Sequence, residues 1–169
     1  MDFKNFNKYE EFQKWFGNSK IIKNGKPLLV YHSNFKDKID PHNKTRIYFT
    51  DDSTFGKRYL GHESNQHKAY LRIIKPFLCT DRNLIELFKD KSVPLSNQYK
   101  EEGKPYKDWA KKRADDFNFS DRYERDRVYY WIKEMRYDGA IIPHDWDGGM
   151  SIVKSFVVFD FDQIWEVKD

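Results

Sequence analysis

A single cysteine, Cys79, excludes an internal disulfide in this chain of 169 residues. The five histidines (His32, His42, His62, His67 and His144) show no H-x-x-x-H spacing and no cysteine partner, so no zinc centre is expected. No run approaches the roughly 18 uninterrupted apolar residues of a membrane span, which excludes a membrane helix. The opening Met1-Asp2-Phe3-Lys4-Asn5 lacks the apolar stretch of a secretion signal, and a cytoplasmic location is expected. Neither sign of charge dominates: 31 basic against 27 acidic residues leave a net +4, which tolerates a nucleic-acid partner without demanding one. Apolar residues are also scarce, at 38%, yet 18% of the chain is aromatic. Each aromatic ring buries a large area, so a core built on Phe, Tyr and Trp is expected instead of disorder.

The length suits one domain, residues 1–169, and neither an internal repeat nor a Ser/Gly linker interrupts it. The spacing of Phe12, Trp15 and Phe16 predicts a first helix, capped by Asn7 and stopped by Gly17. Asn24-Gly25 signals a turn, and strands are expected at Leu28–His32, Arg46–Thr50 and Ala69–Ile74, the last stopped by Pro76. A short helix starts at Asp52 or Ser53 and runs through Tyr59; another, capped by Asp81, covers Leu84, Ile85, Leu87 and Phe88. Residues 89–104 read as loop. Helices are predicted over 106–116 and 120–136, the second with a stripe of Tyr123, Val128, Tyr130, Trp131 and Met135. Gly139–Ile142 is a short strand ending at Pro143, and the loop His144–Gly149 follows. Ile152–Phe159 and Gln163–Val167 close the chain as strands, giving an α+β domain.

Two predicted strands end on polar groups, Tyr31-His32-Ser33 and Ile47-Tyr48-Phe49-Thr50-Asp51. Taken singly, such a histidine or tyrosine is structural more often than catalytic. In order along the chain, however, Trp15–Lys20, Asn24–His32, Ile47–Asp51, Tyr137–Ile142 and Phe156–Ile164 resemble the ADP-ribosyltransferase domains of phage polyvalent proteins and related bacterial toxins. These are the His-Tyr-Glu branch, together with diphtheria toxin and the poly(ADP-ribose) polymerases. The resemblance covers both ends and leaves out roughly residues 77–135. It implies a split β-sheet core with peripheral helices, NAD as co-substrate, and transfer of ADP-ribose. By the same resemblance His32 would bind the adenine-side ribose, and the backbone of Ser33 would clasp the nicotinamide amide. Tyr48 and Tyr59 would flank the nicotinamide ring, and Gly56 would let its amide approach. A flat cation such as nicotinamide suits aromatic faces, and cleavage that leaves a cationic sugar relies on positioning and electrostatics.

The third motif departs from the family. Where the family has a glutamate, this chain has Ser155, preceded by Lys154, and no carboxylate lies from Met150 through Phe159. Three readings stay open. A mono-ADP-ribosyltransferase could act without the glutamate. Asp145 or Asp147 could enter the site from the acceptor loop, where Trp146 would grip a base or a side chain, although turn residues have a purely structural reading too. Or the fold could bind NAD or nucleic acid without reacting. Chain elongation is not expected. The acceptor would be nucleic acid or protein, a toxin or host-takeover role fits the family, and an antitoxin or inhibitor protein could hold the chain inactive. Two rivals lie outside the family. One is a nucleic-acid-binding module along Lys107–Tyr130, where acidic residues offset much of the basic charge. The other is a hydrolase or nuclease built on His32 or His144.

Overall fold

A computed structural model describes residues 3–40, 46–90, 122–146 and 152–168. The chain forms two compact units, residues 1–77 with 137–169, and residues 78–136.

The first unit opens with α1 (Phe3–Phe16), closed by Gly17 in the left-handed region at φ 47°. A minimal hairpin follows, β1 (Ile22–Lys23) and β2 (Lys26–Pro27). Its two-residue turn is Asn24-Gly25 at φ 52° and 74°, the positive pair that a type I′ turn requires. Then come β3 (Val30–Asn34), β4 (Ile47–Thr50), α2 (Phe55–Leu60), β5 (Asn65–Leu71) and β6 (Pro76–Leu78). After the second unit the chain returns as β7 (Gly139–Trp146), β8 (Ile152–Val158), a short 3₁₀ turn (Phe161–Gln163) and β9 (Ile164–Val167). Seven strands make one sheet in the order β6-β7-β8-β4-β3-β5-β9, so the architecture is α+β.

Alternation along the strands sorts the side chains. One face carries the buried cluster of Val30, Ile47, Phe49, Leu71, Ile141 and Phe156, closed by Ile21 and Ile39. On the other face of the β5–β9 end, Tyr70 and Trp165 pack against Phe12 of α1, with ring centroids 4.9 and 5.5 Å away. Trp15 joins them and donates its indole N–H to the carbonyl of Asp162 at 2.9 Å. The aromatic-rich composition thus serves two packing layers.

The closing strings Tyr137–Ile142 and Phe156–Ile164 hold this sheet together. Gln163 accepts from the amides of Phe159 and Asp160 and donates to the carbonyls of Arg72 and Asp138. Asp138 in turn accepts from the amides of Ile74 and Lys75. At Gly139 a Cβ would lie 2.7 Å from the carbonyl of Val157, so the strands approach there only without a side chain.

Several boundaries differ from the sequence expectations. Helix α1 starts at Phe3 and not after Asn7. Leu28 stays out of β3 because its amide extends the hairpin, donating to Ile21 at 3.0 Å. β5 begins at Asn65 and stops at Leu71. Pro76 opens a strand instead of ending one, a position where its missing donor is tolerated. β7 runs through Pro143 to Trp146, the proline falling where the register with β8 shifts between Ile142 and Asp145. The stretch expected as a loop at 144–146 is therefore strand.

The second unit contains α3 (Asp81–Asp90) and α4 (Arg122–Glu134). Thr80, and not Asp81, takes the capping place: its hydroxyl accepts from the amide of Asn83 at 3.4 Å. In α4 the buried face is Val128, Tyr129 and Ile132, while Tyr130 is exposed. A 100° step places Tyr130 away from that arc, which overturns its place in the expected stripe. The helix predicted over 106–116 lies outside the described residues.

Candidate active site

The two central strands part early. β3 and β4 are registered at Tyr31↔Thr50, while on its outer side β3 continues pairing with β5 from Val30↔Ala69 to Asn34↔Asn65. Beyond Tyr31, the bond across the gap comes from a side chain: His32 donates from Nδ1 to the carbonyl of Tyr48 at 2.8 Å. That bond fixes the neutral tautomer, leaving Nε2 as an acceptor. Burial lowers the His32 pKa below its ordinary 6.5; the bond to Tyr48 and the charge of Asp40 oppose this, and the His67 ring adds to it. The imidazole is therefore neutral at neutral pH.

A cavity of 330 Å³ opens at the parting, lined by His32, Asn34, Phe35, Lys36, Arg46 and Tyr48 together with Asp40 and Ile47. This lies at the small end of ligand sites, which run from about 300 to 1,000 Å³. Lys36 is ion-paired with Asp40, and Arg46 is buried. Phe35 is exposed, 64%, at the rim. The site thus joins a neutral acceptor, an aromatic residue on each side of the gap and two cations.

Ser33 points to the opposite face from His32 and meets α2. A Cβ on Gly56 would fall 1.7 Å from the Ser33 hydroxyl, so the space left by that glycine is filled by Ser33 itself. α2 is anchored from its own N-terminus. Asp52 accepts from the amide and hydroxyl of Thr54, each at 2.8 Å, and from Arg58 at 2.7 Å. Partial burial pushes the Asp52 carboxyl up, but the Arg58 and Thr54 bonds outweigh it and hold it at about 2. Tyr59, on the same helix, is 66% exposed and stacks on Phe55 at 5.8 Å with the rings nearly parallel.

The profile of the family described as ADP-ribosyltransferase in polyvalent proteins matches residues 23–169. The chain belongs to this family of ADP-ribosyltransferases. Neither the curated proteins nor the solved structures gave a significant match. The parted sheet is the split core that the resemblance implied.

Against the family's motifs, the structure brings His32 and Tyr48 together at one cavity, and Ser33 and Gly56 together at the start of α2. Ser155 stands elsewhere. It pairs with Thr50 of β4, two residues along β8 from the Tyr48↔Val157 pair and on the face opposite Phe156, and is 4% exposed. Lys154 alternates to the other face, with its ammonium 5.6 Å from the Phe156 ring. Asp145 is half-buried in β7 opposite Val153, and Trp146 ends that strand opposite Ile152. Asp147 lies outside the described residues. No helix among the described residues is long and apolar enough to cross a membrane.

Sequence reasoning missed Asn34, Lys36, Arg46, His67 and Glu166. A signal existed for His67, which continues the inward row of Leu71 and Ala69 at period two once the strand is begun at Asn65.

Proposed function

We propose that this ADP-ribosyltransferase uses NAD⁺ and transfers a single ADP-ribose to a macromolecular acceptor, nucleic acid or protein. The observation that carries this reading is the pairing of His32 with Tyr48 at the mouth of the cavity, in a chain whose family performs this reaction.

When bound, NAD⁺ supplies an electrophilic ribose carbon and a leaving group that departs neutral. The residues divide the remaining work. His32 accepts a ribose hydroxyl at Nε2, a role that suits a neutral ring whose Nδ1 proton is already committed. Lys36 and Arg46 line the same cavity and balance the charge of a pyrophosphate. Tyr48 and the exposed Tyr59 offer aromatic faces to a flat cation, and the Ser33 backbone is held in register against Gln66 to meet an amide. With Ser155 buried, the charge developing on the ribose as nicotinamide leaves is met by no carboxylate of β8, since none lies from Ile152 through Val158. Transfer is therefore single, and the acceptor's own acid or base assists.

Incubating the protein with labelled NAD⁺ and a cell lysate tests this reading. Label that survives protease and is lost to nuclease identifies a nucleic-acid acceptor, and the reverse identifies a protein. No label and no nicotinamide released would overturn the transferase reading in favour of an inactive fold.

A further inference from the structure

His32 does not stand alone on its side of the parted sheet. His67 is its cross-strand partner in β5, with ring centroids 6.2 Å apart. Asn34, two residues along β3, touches both. Its amide orientation is fixed by the backbone, because Oδ1 accepts from the Lys36 amide at 2.9 Å and Nδ2 donates to the Lys38 carbonyl at 3.0 Å. The second hydrogen on Nδ2 is then directed to His32 Nε2 at 3.4 Å. Oδ1 is left to accept from His67.

His67 sits among acceptors on both sides. Its Nε2 faces two acceptors, Asn34 Oδ1 and the Lys36 carbonyl, both at 3.1 Å. Its Nδ1 faces a third, the carboxylate of Glu166 on β9, at 3.1 Å. All three groups accept, so His67 serves as the donor of this cluster. His67 is 7% exposed, which makes a loose, solvent-averaged arrangement untenable.

We infer that Glu166, His67 and Asn34 form a buried positioning chain that, with the His32 tautomer already set by Tyr48, holds the imidazole ring in place and aims its Nε2 lone pair at the ligand. The inference rests on the NAD⁺ reading for what that ligand is. Each link has one function. Glu166 holds the His67 ring, His67 and the Lys36 amide hold the Asn34 amide, and Asn34 occupies Nε2 of His32 weakly until a better donor arrives. At 3.4 Å the Asn34 bond is long enough to yield to a ribose hydroxyl. The His67 ring also lowers the His32 pKa, which protects the acceptor. Among the described residues Lys36, Asp40 and Arg46 line the cavity with His32.

Histidine ¹⁵N NMR of the full chain at pH 7.5, with NAD⁺ affinity measured alongside, tests the chain. In the unaltered protein His32 should show Nδ1–H alone. Glu166→Gln keeps the shape and removes the charge that faces His67; the ring signals of His67 and His32 should both shift. Asn34→Ala should shift the His32 Nε2 signal and leave Nδ1–H in place. Each variant should weaken NAD⁺ binding about tenfold, the scale of losing a group that orients a binding residue. His32 signals indifferent to both substitutions would overturn the inference while leaving NAD⁺ binding in place. Altered signals with undiminished NAD⁺ affinity would reduce the chain to structure and overturn it as well. If the unaltered protein binds no NAD⁺ while the signals behave as described, the functional reading fails and takes the positioning role with it.

Discussion

Ser33 and Gly56 occupy one another's space: the hydroxymethyl group of the first sits where a Cβ of the second would be, 1.7 Å from it. An ordinary exposed helix gains about 1 kcal/mol when glycine becomes alanine. Gly56→Ala should instead destabilise the protein by about 1–3 kcal/mol, the cost of overpacking. Adding Ser33→Gly empties the contested space and should restore the melting temperature. A single Gly56→Ala variant as stable as the parent would show that α2 and β3 do not meet as described.

The bond from His32 to Tyr48 separates two substitutions that look alike. Tyr48→Phe keeps both the ring and the backbone carbonyl that His32 uses, so NAD⁺ affinity should stay within a few-fold of the parent. His32→Ala removes the acceptor and should weaken binding about tenfold or more, with the fold unchanged by circular dichroism. Calorimetric titration of both variants decides the matter; equal losses would mean that the tyrosine hydroxyl carries the binding.

These pairs show where sequence was legible. The Asn24-Gly25 hairpin, the glycine stop of α1 and the tyrosine strand at 47–50 follow from local chemistry, and local chemistry is what a sequence displays. The order of the motif strings conveyed the split sheet, because Asp138, Gly139 and Gln163 are dictated by strand contacts that a related chain must also make. Pro143 misled for a physical reason. A proline normally ends a strand, yet here it falls at a register shift where no ladder bond is lost. The network around His32 was hidden because it joins residues 32, 34, 67 and 166, brought together only by the β3–β5–β9 order of the sheet.

The state of His32 predicts a pH dependence. Its folded-state pKa is lowered, chiefly by burial, so the folded protein binds fewer protons here than the unfolded chain. The contribution to stability is fully present above 6.5, the ordinary value, and is lost as pH falls below it through the folded pKa. NAD⁺ affinity should follow the same sense, flat above pH 6.5 and falling below it as Nε2 gains a proton and ceases to accept. His32→Gln, whose side-chain oxygen does not titrate in this range, should remove that acid limb. Persistence of the limb in the variant would assign it to another group.

Ser155 suggests a tempting substitution, glutamate, to supply the family's missing carboxylate. The geometry argues against gaining activity this way. The side chain is 4% exposed, opposite Thr50 and outside the lining of the His32 cavity. A carboxylate introduced at so buried a position is taken out of water, and an unpaired buried charge costs several kcal/mol. Ser155→Glu should therefore lower the melting temperature by roughly 2–4 °C for each kcal/mol lost, most strongly above the glutamate's own pKa, and should leave chain elongation absent. Ser155→Gln, similar in size and uncharged, separates the volume cost from the charge cost. A stable Ser155→Glu variant that builds poly(ADP-ribose) would mean that β8 presents this position to the ligand, contrary to its burial here.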